Sequence, residues 1–218
     1  MKLESAAVQY PEKYKTLWKL RSGQTVLLRP VKPEDEPMWL EMFSGWSEET
    51  IRYRFFGTIK VPLTHEFSAS CTDIDYNKEI AIVAELEEDG KRKLLGVVRL
   101  FVEPAMKTGE IAFVVADAWH RQGLGSKLVD YIIEISKDKK LETIHAVMLH
   151  DNYKAIGLMK KIGFNLEFPD YDTVKATLNL KEEEEDEDED EEEDVYTITQ
   201  KGMENLKVSL TEENGPKE

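Results

Sequence analysis

The chain has 218 residues, enough for one domain with a well-buried core and little more. Its formal charge of −15 is concentrated in residues 182–194, an unbroken run of 13 acidic residues, which leaves about −2 on the remainder. That near-neutral body gives no reason to expect nucleic-acid binding, which needs a basic footprint, and the one cysteine, Cys71, excludes an internal disulfide and suits a reducing compartment.

Residues 1–13 are polar and lack the continuous apolar core of a signal peptide, and no run approaches the ~18 apolar residues of a membrane helix. A soluble, cytoplasmic protein with no membrane partner is expected. Residues 14–20 and 25–29 flank the turn-forming Arg21-Ser22-Gly23-Gln24 and predict a hairpin. Pro33 to Pro37 carries helix-start chemistry ahead of Met38, Leu40, Met42 and Phe43. Ser47-Glu48-Glu49-Thr50 is a second helix start, before Ile51, Tyr53, Phe55 and Phe56, and residues 63–71 read as a third short helix. Residues 79–86, 93–102 and 111–116 are three strands joined by short turns, which favours antiparallel pairing. Apolar residues at 124, 128, 131, 132 and 135 then have the period of a helix packing one face inward. Residues 143–149 form the next strand, and a connection through a helix implies that it runs parallel to the strand ending at Ala116. A further helix ends at Gly163, suited to a left-handed C-cap, with Phe164 able to pack back. Residues 173–180 make a last strand. The expected class is α/β, with a mixed, mostly antiparallel sheet flanked by helices.

The chemistry-bearing stretch is residues 109–126, GEIAFVVADAWHRQGLGS. A buried strand runs through a short connection into a glycine-containing loop that opens the amphipathic helix. Two glycines at such a junction let the backbone approach a ligand closely, and the free N–H groups of the helix suit an anion, above all a phosphate. A lone G-x-G also fits an ordinary tight turn. A dinucleotide fingerprint needs Gly or Ala three residues after the second glycine, where this chain has Leu128. A P-loop needs Lys directly after a Gly and another Gly five residues earlier, and Gly125-Ser126-Lys127 meets neither condition.

His120-Arg121-Gln122-Gly123-Leu124-Gly125 resembles motif A of the GNAT superfamily of N-acetyltransferases, Q/R-x-x-G-x-G/A, whose loop holds the pyrophosphate of coenzyme A. The first position is His120 rather than Gln or Arg. Residues 152–164, NYKAIGLMKKIGF, resemble the family's motif B, in which Asn opens a helix ending in Gly-Phe, and one helix and one strand separate the two motifs as in the family. Residues 28–36 (LRPVKPEDE), 47–56 (SEETIRYRFF) and 73–84 (DIDYNKEIAIVA) narrow the resemblance to the acetyltransferase domain of bacterial protein lysine acetyltransferases of the Pat type, over roughly residues 10–180. In that group the domain is often fused to an acyl-CoA synthetase-like region or a cyclic-nucleotide-binding domain. Neither is present in these residues, so regulation of that kind is expected to be absent or supplied by another chain.

The resemblance implies the GNAT fold, with two central parallel strands splayed apart and acetyl-CoA bound in the gap without a metal. It implies that His120, Arg121, Gln122, Gly123, Leu124, Gly125 and Ser126 hold the pyrophosphate. It also implies that backbone groups of Val114, Val115 and Ala116 hold the pantetheine arm and polarise the thioester carbonyl. Asn152 either bonds the coenzyme or N-caps its helix. A lysine amine has a free pKa near ~10.4, so only about one in a few thousand is neutral at pH 7, and attack on a thioester calls for a proton acceptor. Glu110 opens the strand that leads into motif A and matches the glutamate base of the lysine acetyltransferases; by position alone it is also an ordinary strand-end carboxylate. Many relatives carry a Tyr general acid where this chain has Met159. CoA then leaves as a thiolate, tolerable for a thiol pKa near ~8.5, or is served by another group such as Tyr153 or Tyr76. His145 and His150 lack Cys or acidic partners at ligand spacing, so no metal site is expected. Cys71 has no support as an acyl carrier, which leaves direct transfer.

The expected function is acetyl-CoA-dependent N-acetylation of exposed lysines on proteins, among them acyl-CoA synthetases. The alternatives are a small-molecule amine N-acetyltransferase and a non-catalytic acyl-CoA-binding sensor. The expected organisation is a flexible segment 1–13, the acetyltransferase domain 14–180, a disordered acidic run 181–194 and a tail 195–218. The acidic run repels itself and has no apolar surface to bury; it reads as a solvated spacer or as a lure for basic substrates.

Overall fold

Apolar strand runs assemble one eight-stranded sheet in the order β1-β2-β3-β4-β5-β6-β8-β7. The computed structural model describes residues 10–57 and 64–181; the acidic residues 182–194 and the tail lie outside the described residues. Contacts divide the chain into residues 1–181 and 182–218, and every described residue belongs to the first unit.

The expected hairpin is β1 (Thr16–Lys19) with β2 (Thr25–Pro30), followed by α1 (Glu36–Ser44), α2 (Glu48–Phe55) and α3 (His65–Thr72). Next come β3 (Glu79–Glu88), β4 (Lys91–Glu103) and β5 (Thr108–Val115), each antiparallel to its neighbour from β1 onward. After α4 (Leu124–Asp138), β6 (Thr143–Leu149) pairs parallel with β5, as a helical crossover requires. The chain closes with α5 (Tyr153–Ile162), β7 (Asn165–Glu167) and β8 (Thr173–Asn179). Two details depart from expectation. β5 starts at Thr108, because Thr108, Gly109 and Glu110 pair with Glu103, Val102 and Phe101 despite their polarity. β7 is an edge strand of three residues, too short to carry a period.

Each face of the sheet has its own cover. Against α4 and α5, Ile80, Ile82, Leu100 and Ile111 pack on Leu124, Leu128, Ile132, Ile135 and Met159. On the opposite face, Ala81, Val83, Val97 and Val114 meet Trp39, Met42, Phe43 and Trp46. Every large side chain buried this way contributes roughly 1.5–3 kcal/mol, enough to hold α4 in place and with it the loop at its N-terminus. The 28–36 stretch proves to be structural. Arg29 forks onto Asp35 (2.6 and 2.7 Å) and also donates to Glu85, with all three side chains buried, which fixes how the chain leaves β2 for α1.

Candidate active site

β5 and β6 pair only at their starts: Thr108 with Thr143, Gly109 with Ile144, Glu110 with His145. Beyond that point they part, and a cleft of about 700 Å³ opens with Ala112–Val115 on one side and Ala146–Met148 on the other. Unpaired strand backbone inside a domain is costly unless a ligand or water takes over its hydrogen bonds. Alternation along β5 decides which amides are free. The Ala116 N–H donates to Leu95 O at 2.8 Å, and Gly96 stands opposite Val115, so the amides of Val114 and Ala116 turn to β4 while those of Phe113 and Val115 turn to the gap. Of the three residues expected to hold the pantetheine arm by their backbone, Val115 turns its amide to the gap while Val114 and Ala116 turn theirs to β4; the Phe113 amide also faces the gap.

The loop after β5 is held in an unusual backbone. Gly123, the N-cap of α4, has φ +85°, and Arg121 has φ +62°, a left-handed conformation that a side chain resists. The first α4 bond runs from Lys127 N–H to Gly123 O, leaving the Leu124, Gly125 and Ser126 N–H groups without helical partners at the positive end of the helix dipole. His120, Arg121 and Gly125 line the cleft. Gln122, Gly123, Leu124 and Ser126 do not: Gln122 O accepts from Arg21 N–H (3.3 Å), and the Leu124 side chain is core. His120 Nε2–H donates to Val115 O at 2.9 Å, so at the position usually Gln or Arg this ring ties the loop back to the strand.

A sequence profile described as the acetyltransferase (GNAT) family matches residues 39–164. The chain belongs to the GNAT family. It is 28% identical over 145 residues to an acetyltransferase of Pseudomonas aeruginosa, a match spanning 66% of this chain and 77% of that one. It is also 28% identical to the acetyltransferase Pat of Mycolicibacterium smegmatis, of which the match spans 42%. Among solved structures it resembles the GNAT domain of S. lividans PAT, with TM-score 0.71 at 22% identity over 78% of this chain and 99% of that one. A ribosomal L7/L12 alpha-N-protein acetyltransferase in complex with coenzyme A matches with TM-score 0.60 at 12% identity, over 71% and 93%.

In this GNAT chain Glu110 stands where β5 and β6 part. Its side chain lines the cleft and is 51% exposed, with His145 Nε2 3.9 Å from its carboxylate. Asn152 Oδ1 accepts from Ala155 N–H (3.3 Å), capping α5, while the residue also lines the cleft. Capping of α5 is thus one role of Asn152; a bond to the coenzyme is proposed from its place on the cleft wall. Met159 is fully buried in the core. Tyr153 is 75% exposed and the Tyr76 hydroxyl donates to Val31 O, and neither lines the cleft. Among the described residues no His, Cys, Asp or Glu cluster of three converges at metal-binding distance, and no helix is long and apolar enough to cross a membrane.

The wall that sequence reasoning missed is α2. Thr50, Tyr53 and Arg54 line the cleft from one helical face. The signal was there in SEETIRYRFF: its inward positions are polar or aromatic where a core helix would have Leu or Ile. Both ends of α2 are anchored across the splay. Asp117, just past β5, accepts from Ser47 N–H (3.1 Å), Ser47 Oγ (2.7 Å) and Thr50 Oγ1 (2.9 Å). Past β6, Asp151 takes Arg52 at 2.8 Å, and its carbonyl accepts from the Tyr53 hydroxyl at 3.2 Å. Burial alone would raise the Asp117 carboxyl, but the bonds from Ser47 and Thr50 outweigh it and hold it below the usual carboxylate range. Its contribution to stability is thus present above the unfolded pKa of about 3.9 and is lost as pH falls through the lower folded value. Asp117→Asn should cost about 1.5–3 kcal/mol at neutral pH, a Tm fall of roughly 3–10 °C. The gap from wild type should close in melts taken toward pH 3; a gap that stays constant would show that the carboxylate charge is not what anchors α2.

Proposed function

We propose that this acetyltransferase moves the acetyl group of acetyl-CoA directly to lysine side chains of cytoplasmic proteins, acyl-CoA synthetases among them, with Glu110 as general base. The observation that carries this reading is the position of Glu110, half exposed at the fork of β5 and β6. From Glu110 to Val115 is about 17 Å of strand, which leaves an extended pantetheine arm room to lie along the free Phe113 and Val115 amides. The pyrophosphate then meets the N–H groups of Leu124, Gly125 and Ser126, an arrangement suited to anions by both donors and dipole. At the other end the Glu110 carboxylate takes a proton from the lysine ammonium and passes it to solvent, leaving the neutral amine to attack. The amine nitrogen bonds to the acetyl carbon, the carbon–sulfur bond breaks, and the second proton of the nitrogen goes to the vacated Glu110 carboxylate. CoA leaves as a thiolate, since the position usually held by Tyr is the buried Met159. Phe56 and Phe101 line the cleft and are 45% and 39% exposed, offering an apolar surface to the methylene stem of a lysine. Relatives named Pat and neighbours named for ribosomal protein substrates support a protein acceptor.

Labelled acetyl-CoA incubated with the enzyme and either a cell lysate or a pool of small amines tests the reading. Label should enter lysines of protein bands; label confined to small amines would overturn it. The acidic run is proposed as a spacer that also draws in basic substrates. A chain ending at Lys181, which keeps the Lys181–Glu142 pair (2.8 Å), should bind acetyl-CoA normally yet acetylate basic proteins several-fold more slowly at low salt. The difference should vanish near physiological ionic strength, where screening shortens electrostatic reach to roughly 8–10 Å. A truncated chain equally fast at low salt would remove the lure.

A further inference from the structure

α2 carries two arginines, Arg52 and Arg54, and one of them has no ion pair among the described residues. Arg52 is paired with Asp151, and Glu49 with Lys154 (3.5 Å). Arg54 lines the cleft, is half-buried, and among the described residues has neither a hydrogen bond nor an ion pair within 4.0 Å. Of the two nearby carboxylates, Glu79 lies 2.5 Å from Arg99 Nε, with Arg99 also donating to Cys71 O at 2.9 Å, and Glu110 forms no ion pair with Arg54 within 4.0 Å. Register puts these groups on one face of the sheet. Glu79, Phe101 and Glu110 form one row across β3, β4 and β5, and Arg99 stands in the next row, opposite Ala112.

Arg54 feels all of them. Burial, and then the like charge of Arg99, press its guanidinium below the usual arginine range, while Glu79 and Glu110 pull the other way. A half-buried cation beside a second cation is unfavourable unless an anion arrives to compensate it. A guanidinium presents its N–H donors in a fixed fork whose best match is a carboxylate or a phosphate. The phosphate-suited end of the cleft is the α4 N-terminus, five residues of strand and a loop away. At the Arg54 end, the Glu110 carboxylate opposes a doubly charged phosphate more strongly than a singly charged carboxylate.

We propose that Arg54 is a carboxylate-binding subsite at the Glu110 end of the cleft, so that preferred substrates carry a negative group close to the reacting atoms. The group is either the far carboxylate of a dicarboxylic acyl thioester or a carboxylate beside the amine on the acceptor. The proposal rests on reading this cleft as the acyl-transfer site. Its chemistry is unchanged from that reading; the subsite adds selectivity.

Two matched pairs of probes separate the sources. Calorimetry compares succinyl-CoA with butyryl-CoA, and turnover with acetyl-CoA compares lysine peptides with Glu or Gln next to the lysine. Wild type should favour the charged member of one pair by about tenfold or more, the scale of one charge-assisted hydrogen bond. Arg54→Gln should erase that preference while leaving the neutral member within about threefold, and Arg54→Lys should restore part of it. A preference in the first pair assigns the carboxylate to the acyl chain, and one in the second assigns it to the acceptor. The proposal is overturned if wild type shows no preference in either pair, if a preference survives Arg54→Gln, or if that variant weakens both members alike. Calorimetry needs no turnover, so selective succinyl-CoA binding without acetylation of any peptide would sink the lysine reading alone. Acetylation of both peptides with no preference in either pair would sink Arg54 alone.

Discussion

Glu110→Gln should lower kcat by about 10²–10⁴-fold while leaving acetyl-CoA affinity nearly intact. The carboxylate lies at the fork of β5 and β6, at the far end of the strand from the loop that suits the pyrophosphate. On the proposed mechanism its removal is expected to touch the proton transfer and not the coenzyme contacts. Gln is close in shape and keeps the strand pairing of residue 110 with Phe101 and His145, so the fold should persist. The loss should shrink as pH rises, because a larger fraction of the lysine amine is then neutral without help. Steady-state rates from pH 7 to pH 10, with calorimetric acetyl-CoA affinities, check both halves. Ordinary turnover of the Gln variant at pH 7, or a loss confined to coenzyme binding, would move the search for a base to His145, 3.9 Å away.

Gly123→Val should weaken acetyl-CoA binding by roughly 100-fold or more. A φ of +85° is open to glycine and strained for a β-branched residue. A Cβ there would also sit 3.3 Å from Trp18 Cη2, so the Trp18 ring has to give by a few tenths of an ångström as the loop relieves its strain. The three helix N–H groups then lose their common aim. Losing one or two charge-assisted hydrogen bonds, at about 1.5–3 kcal/mol each, accounts for that factor. Gly125→Ala is the control for crowding. Its Cβ meets Leu158 and Val115 at ordinary contact distances of 3.7 and 3.9 Å, so the chain should fold and any lost affinity reports on the ligand's own approach. Calorimetry beside circular dichroism reads both variants. A folded Gly123→Val protein with unchanged affinity would remove the loop from the coenzyme site.

The element order was legible in the chain because burial writes a period into it. β3 and β4 are runs of Ile, Val, Leu and Ala bounded by polar turns, and α4 repeats its apolar residues every third or fourth position. A crossover through the α4 helix requires β5 and β6 to run parallel, as they do. β7 escaped because three residues, two exposed and one half-buried, carry no period, and the first residues of β5 escaped because their partners on β4, not their own polarity, make them a strand.

Local sequence thus determined the fold class and the strand–loop–helix unit around Gly123, since periodicity and backbone freedom are properties of neighbouring residues. Tertiary structure alone decided what depends on segments far apart in the chain. The Ala116 amide is spent because Leu95 O faces it; Met159 is core because α5 turns it inward; and α2 becomes a wall of the cleft because Asp117 and Asp151 grip it from the ends of two different strands. Arg54 reads in the sequence as one more charged residue on a short helix. Only the packing of α2 over the sheet, with Glu79 already held by Arg99, leaves it in the cleft without an ion pair among the described residues.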